Sequence, residues 1–420
     1  IAGNDDAFNA FINYHGIARV EIFETLIEIP NLFKNKKRSE SKRVGIVTTT
    51  GGGGAMVVES LSGSDIEIID PGLSIKKIMQ DNNIAFNNNK LVDLTIAGTK
   101  PEIVNEVISQ MMKNKNCDLV VMVVGSSAKF RPEQAVEPLL KWANYPKPLA
   151  VYVAPDAPEA LNLLHQNNIA CFRTPESCAE SVKTFLNTKN PVKPKILKNN
   201  LSDVSKKLKK NIYKNLSEEE ALEIFKDIGI KVVNYKVSYN EKQAIEYSSQ
   251  IGFPLAMKVL SREIMHKTET GGVELNIKNL EEVKISFKKL SDVFQKLKIN
   301  SSEKKFIIQK MEKGIAEIIL GYRVDELVGP IVVIGSGGIL SEIYNDKSIR
   351  MAPVDVTEAK KMIKEVKSLV TITGYRGLPE VDINIIATAI VNISKFALVK
   401  EIKEAEINPV IVKKNNEGIV

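Results

Sequence analysis

MKVLSREIMHKTETGGVEL, residues 257–275, is the stretch from which the rest of the chain can be read. It opens on an apolar run carrying one cation, Lys258, crosses a polar segment, and reaches the pair Gly271 and Gly272 before a second short run, VEL. Strand, turn and returning strand is the simplest reading, because paired glycines tolerate the backbone angles of a tight reversal. A lysine on such a strand presents a point charge to an anion, and a glycine turn lets bare N–H groups approach phosphate oxygens. His266 lies between the two. His15 and His165 fall inside helical patterns and read as ordinary helix residues. A neutral imidazole has a nucleophilic nitrogen near pH 7, so beside a lysine it can accept, orient or relay a phosphoryl group. A surface histidine in a turn is the alternative.

Working downstream, short apolar runs recur: KFIIQKM (305–311), AEIILGYRV (316–324) and PIVVIG (330–335), with FPLAMKV (253–259) and VELNI (273–277) before them. Gly-rich turns and occasional helices separate them, which predicts an α+β domain with antiparallel sheet. SEEEALEIFKDIGIKV (217–232) begins it with Ser217 and Glu220 at capping-box spacing. GPIVVIGSGGILSEIYNDKSIRMAP (329–353) brings Glu342, Asp346 and Arg350 near a glycine turn. Such carboxylates can hold Mg²⁺ and such an arginine can offset phosphoryl charge, although a hairpin with solvated charges uses similar residues. AEINPV (405–410) sets Glu406 and Asn408 on alternate strand positions, so both oxygens point to one side.

Upstream, the texture differs. RVGIVT (43–48), DLVVMVV (118–124), PLAVYVA (148–154) and IACFRT (169–174) alternate with helical patterns at 101–113, 133–142 and 158–166. That alternation predicts a doubly wound parallel sheet covered on both faces, of flavodoxin-like form and ending near Asn187. TTTGGGGAMVVESL (48–61) places Gly51, Gly52, Gly53 and Gly54 between a strand and a helix, at the edge where such sheets bind ligands. It lacks the Gly-Lys-Ser/Thr ending of a Walker loop, and a tight strand-to-helix turn explains it as well as a phosphate cradle does. VDLTIAGTKPEIVNEV (92–107) sets Gly98 and Thr99 before the next helix, with Thr99 and Glu102 spaced as a second capping box. Two helix N-termini at neighbouring strand edges would converge on one phosphoryl group.

Composition narrows the remaining classes. With 44% hydrophobic and 26% charged residues over 420 positions, the chain is globular and long enough for several cores. Three cysteines, Cys117, Cys171 and Cys178, form no disulfide framework and no metal spacing, which fits a reducing cytoplasm. No apolar run approaches the roughly 20 residues of a membrane-spanning helix. The net charge of +7 is concentrated between Lys189 and Lys214, in a Pro-containing stretch nearly without aromatics; a basic linker at 188–215 is expected rather than a nucleic-acid arm. Two helices are expected before the polar run KNKKRSESK (34–42). The chain opens on Ile1 rather than Met, so it is expected to be a fragment.

Taken in order, SREIMHKTETGGVEL, EIILGYRVDELVGPIVVIGSGGI, GYRGLPE (374–380) and AEINPV resemble the ATP-grasp half of ADP-forming acyl-CoA synthetases, relatives of succinyl-CoA ligase. The resemblance covers 216–420, and the region before the linker is similar to the flavodoxin-like domain of the same family. It implies four parts: 1–42, the last helices of a truncated succinyl-CoA-ligase-like domain; 43–187, flavodoxin-like; 188–215, the linker; and 216–420, ATP-grasp with its last strand truncated.

The implied reaction interconverts acyl-CoA, ADP and phosphate with a carboxylic acid, CoA and ATP, through an acyl phosphate and a phosphohistidine. Position by position, His266 matches the second histidine of the relay. Lys258, Gly271, Gly272, Arg323, Gly335, Gly337 and Gly338 match nucleotide-phosphate contacts, and Gln309 and Met311 match the adenine hinge. Glu406 matches an acidic catalytic position, while Asn408 and Glu342 face Mg²⁺. Gly51 to Gly54, Gly98 and Thr99 match the acyl-phosphate end. Implied partners are nucleotide, CoA, phosphate, a small carboxylic acid, an upstream CoA-binding domain of the same protein and a second copy in a homo-oligomer; neither nucleic acid nor membrane is expected.

The opening IAGND resembles the residues just after the family's Ser-His-Thr-Gly motif, which puts the first phosphohistidine upstream of Ile1. The chain also stops at Val420, before an Asp-Ala-Arg-like strand, so this piece alone is expected to bind nucleotide weakly and not to make acyl-CoA. Two rivals remain: a non-catalytic CoA or nucleotide sensor, separable by the upstream motif, and an ATP-grasp carboxylate-amine ligase, separable by trapped phosphohistidine.

Overall fold

The computed structural model describes residues 4–34, 36, 41–86, 90–95, 97, 100–192, 201–210, 215–262, 270–296, 304–338, 346–372, 374, 376, 380–414 and 417–420. The chain divides into two compact units, His15–Val192 and Ile1–Tyr14 with Lys193–Val420.

The first unit holds six parallel strands: β1 (Arg43–Thr48), β2 (Glu67–Ile68), β3 (Leu91–Asp93), β4 (Leu119–Val124), β5 (Leu149–Val153) and β6 (Ala170–Phe172). β1 is flanked by β4 on one side and by both β2 and β3 on the other; β5 and β6 follow β4. Every residue of LVVMVV in β4 is buried. Val120, Met122 and Val124 join one hydrophobic cluster and Leu119, Val121 and Val123 another, so the period-2 alternation feeds two separate cores. The helix Pro101–Lys113 starts one residue later than a Thr99 cap would require: Lys100 occupies the cap position without a side-chain bond, and Thr99 lies outside the described residues.

The second unit is built on two antiparallel sheets. One has the order β7-β10-β8-β9, from β7 (Tyr235–Ser238), β8 (Leu255–Leu260), β9 (Val273–Ile277) and β10 (Lys305–Lys310). The helices Glu241–Ile251 and Leu280–Lys296 cover one of its faces, where Leu255, Met257, Val259, Phe306 and Ile308 are buried. Phe287 and Phe294 pack on Phe306 in tilted and edge-on contacts, with centroids 4.5 and 5.3 Å away.

The other sheet has the order β13-β12-β11-β14, from β11 (Ala316–Asp325), β12 (Gly329–Ser336), β13 (Lys347–Met351) and β14 (Glu404–Val412). Ile318, Leu320, Tyr322, Val332 and Ile334 bury against the helices Val356–Glu365 and Ile383–Ser394. Within the stretch read as a linker, Ser202–Lys210 is a helix, and Leu201 and Val204 join that same core. Across the opposite face, the helix Asp5–His15 lays Ala7 and Ala10 over Ile331, Ile349 and Met351, and Asp6 pairs with Lys347 at 3.0 Å. Among the described residues no helix is long and apolar enough to cross a membrane.

Candidate nucleotide site

On β8 and β10 the pleat decides which side chains leave the core. Lys258 pairs with Ile307 and Ala256 with Gln309, so Lys258 and Gln309 project from the face that the two helices do not cover. Both reach one carboxylate. Glu218 Oε1 accepts hydrogen bonds from Lys258 Nζ at 2.8 Å and from Gln309 Nε2 at 2.9 Å. Glu218 is the first residue of the helix Glu218–Asp227, whose N-terminus carries the expected capping box between Ser217 and Glu220. Burial works against the Glu220 carboxylate, yet the Ser217 N–H and the Arg262 guanidinium hold its pKa below the usual range. Glu218 was not singled out from the sequence. Its signal was present as an acid at the first helical position, but nothing local to 217–232 points to a lysine 40 residues away.

The turn after β8 is described only at its edges. Gly271 takes φ +70°, the left-handed region that glycine enters without steric cost, and a β-carbon there would meet nothing within 4 Å. His266 lies outside the described residues, as do Gly98 and Glu342. Met311 follows β10, and its sulfur accepts the Asn276 N–H at 2.9 Å.

In the other sheet, Glu406 pairs with Gly321 and Glu404 with Arg323, which puts these side chains on the face opposite the Ile318–Leu320–Tyr322 core. Glu404, Glu406 and Asn408 are exposed while Ala405 and Ile407 are half-buried against that core, the alternation of a one-sided strand. Asn408 Nδ2 donates to Glu406 Oε1 at 3.3 Å. A carboxylate and an amide side by side on an exposed face suit Mg²⁺, which takes few protein oxygens and keeps positions for water and phosphate. Arg323 Nη2 reaches Asp325 at 3.4 Å, and its Nε is buried without a hydrogen-bond partner among the described residues. An unmatched guanidinium N–H is a donor awaiting an acceptor.

The glycines at the end of β12 divide by role. A β-carbon on Gly337 would come within 2.8 Å of the Glu317 carbonyl carbon, and the Gly337 N–H donates to Glu317 O at 2.7 Å. Gly337 is therefore required by backbone approach. Gly338 takes φ +81°, whereas Gly335 has only ordinary contacts.

Two residues expected near phosphate are engaged elsewhere. Arg350 pairs with Val332, on the helix-covered face, where it is held by Glu358 and Glu365. Its alternation with Ile349 and Met351 sends it to the side away from Arg323. Asp346 accepts the Lys367 and Ser368 N–H groups at 2.9 and 2.7 Å and so ties the start of β13 to the segment after the helix Val356–Glu365.

In the parallel-sheet unit, the four glycines form the first turn of the helix Gly51–Leu61 rather than a loop before it. A β-carbon on Gly54 would lie 2.8 Å from Thr48 Cγ2 and one on Gly53 3.0 Å from Thr50 Cγ2, so this pair lets the helix approach the sheet. Gly52 has nothing within 4 Å. The Gly54 N–H donates to Thr50 O at 3.0 Å, and the Asp93 carboxylate lies 2.7 Å from the β-carbon position of Gly51, at the N-terminus where an anion would be favoured.

A family profile described as an ATP-grasp domain matches residues 207–420. The chain is 25% identical over 430 residues to the ADP-forming 4-hydroxybutyrate–CoA ligase of Nitrosopumilus maritimus, an alignment covering 100% of this chain and 62% of that protein. It is 40% identical over 196 residues to subunit beta of the ADP-forming acetate–CoA ligase I of Pyrococcus furiosus, covering 46% of this chain and 84% of that one. A solved chain of the dinucleotide forming acetyl-coenzyme A synthetase 1 of Ca. Korarchaeum cryptofilum, in complex with coenzyme A, Ca-AMPCP and HgCl⁺, shares 34% identity; the match covers 52% of this chain and 95% of that chain, with a TM-score of 0.47.

Proposed function

We propose, from the premise that this chain belongs to the ADP-forming acyl-CoA ligase family and carries its ATP-grasp domain, that it is the phosphate-relaying and nucleotide-binding part of an acyl-CoA synthetase. The chain spans 62% of the length of the 4-hydroxybutyrate–CoA ligase it matches, so the complete reaction is proposed for a longer protein. In that reaction phosphate displaces CoA from acyl-CoA, the acyl phosphate passes its phosphoryl group to a histidine, and ADP takes it to give ATP.

The observation that carries this reading is the joint presentation of Lys258 and Gln309 on the sheet face opposite the two covering helices, where both reach Glu218. Lys258 and the Gly271–Gly272 turn contact the nucleotide phosphates, while Gln309 and Met311 line the adenine edge. Arg323, with its unmatched Nε, stabilises charge on the transferring phosphoryl group. Glu406 and Asn408, assisted by Glu342, would hold Mg²⁺, which would supply charge neutralisation for the phosphates. Glu406 also stands at the catalytic acidic position. The turn Gly335 to Gly338 closes over the phosphates and His266 receives or steers the terminal phosphorus.

The helix N-terminus at Gly51 to Gly54, with Gly98 and Thr99, serves the acyl-phosphate end. The parallel sheet is read as flavodoxin-like, because β2 and β3 together fill the single position beside β1 in that fold's strand order. The parts are 1–42, 43–187, 188–215 and 216–420, working with a CoA-binding domain in a cytoplasmic homo-oligomer.

The test is ATP formation by the complete protein from ADP, phosphate and a panel of short acyl-CoA thioesters, with acid-labile phosphohistidine trapped in parallel. ATP formation that His266→Ala abolishes while nucleotide still binds supports the reading. Undiminished turnover in that variant, or no turnover with any thioester, defeats it.

A further inference from the structure

We propose that Glu218 is the counter-ion that a nucleotide phosphate must displace from Lys258, an inference that rests on the nucleotide reading of this site. One carboxylate oxygen receives Lys258, the one cation of β8, on the sheet face opposite the two covering helices and, at 2.9 Å, the amide of Gln309 from the neighbouring strand. The contact is sheltered: the Lys258 and Glu218 side chains are 26% and 22% exposed, and Gln309 is buried. A carboxylate held by Lys258 occupies the position in which a phosphate oxygen would be held by the same ammonium. Both anions cannot keep that position, because like charges at contact distance repel strongly where solvent is scarce.

The helix geometry gives Glu218 a reason to sit there without nucleotide. At the first helical position its charge faces the positive end of the helix dipole. Ile224 and Phe225 of the same helix are buried in the core of the β11–β14 sheet. Thus one helix is anchored in the second sheet while its leading carboxylate grips the first. Displacing Glu218 frees that grip, so phosphate binding at Lys258 and the tether between the sheets are mutually exclusive. The penalty falls on ligands with phosphate at Lys258 and spares an uncharged nucleoside.

Calorimetric titration of the whole chain with ADP and with adenosine, for wild type, Glu218→Gln and Lys258→Met, tests this. Glu218→Gln is expected to bind ADP about five- to tenfold more tightly, the change expected on removing one charge-assisted competitor, with adenosine affinity within about twofold. Weaker or unchanged ADP binding by Glu218→Gln, or equal shifts for ADP and adenosine, overturns the counter-ion role and leaves Glu218 as a residue that orients Lys258. If Lys258→Met binds ADP as wild type does, the nucleotide reading itself fails. Thermal unfolding of Glu218→Gln near the wild-type temperature confirms that the variant keeps the helix.

Discussion

Arg350 Nε and Glu358 Oε1 stand 2.7 Å apart on the helix-covered side of the sheet whose other side carries Arg323. Two arginines of one sheet thus have opposite assignments: one is consumed by two carboxylates, while the other keeps a buried donor with no acceptor among the described residues.

The pair fixes a pH dependence. Burial alone would push the Glu358 carboxyl up, but Arg350 and Lys361 hold it below the ordinary carboxylate range. A pKa lower in the folded than in the unfolded chain means stabilisation that is complete above the unfolded value, about 4.3. It is lost as pH falls through the folded value. Glu358→Gln is expected to cost about 2 kcal/mol in urea unfolding at pH 7, with the gap to wild type narrowing between about pH 5 and pH 3. A constant gap across that window contradicts the assignment.

Neighbouring glycines in the first turn of Gly51–Leu61 are expected to respond oppositely. Gly54→Ala meets Thr48 Cγ2 at 2.8 Å and should destabilise the parallel-sheet unit by about 1–3 kcal/mol. Gly52→Ala meets nothing and should be neutral or stabilising by up to about 1 kcal/mol. Thermal melts of the two variants decide the matter, and equal losses would mean the glycines serve a common purpose instead.

Arg323 is expected to be irreplaceable by lysine. A compact ammonium cannot reproduce the guanidinium fork, so Arg323→Lys and Arg323→Leu should each slow ATP formation by the complete protein by at least about tenfold. Initial rates at saturating ADP provide the measurement. Rescue by lysine would reduce the role of Arg323 to bulk charge.

Much of this architecture could be read in the residues because their local pattern and their tertiary surroundings agree. VELNI became β9 at its stated bounds, and RVGIVT became β1. The alternation in AEINPV placed Glu406 and Asn408 on one side, where their side chains meet. Long-range chemistry was not legible in the same way. Glu218 meets Lys258 only because a helix crosses onto a sheet formed later in the chain, and no spacing within either segment encodes that approach. Arg350 was misplaced for a related reason: a motif gives its charges in order, whereas the pleat sends Ser348 and Arg350 to one face and Ile349 to the other. Lysine density in 188–215 likewise hid the spacing of Leu201, Val204 and Leu208, which anchors a helix on the core.

Methyl-labelled methionine spectra of the chain, titrated with ADP and Mg²⁺, test the central claim most directly. The account predicts that the Met311 resonance, beside the Gln309 strand, shifts saturably while those of Met79, Met111 and Met122 in the parallel-sheet unit stay fixed. A fixed Met311 resonance, or shifts confined to the parallel-sheet methionines, would contradict it.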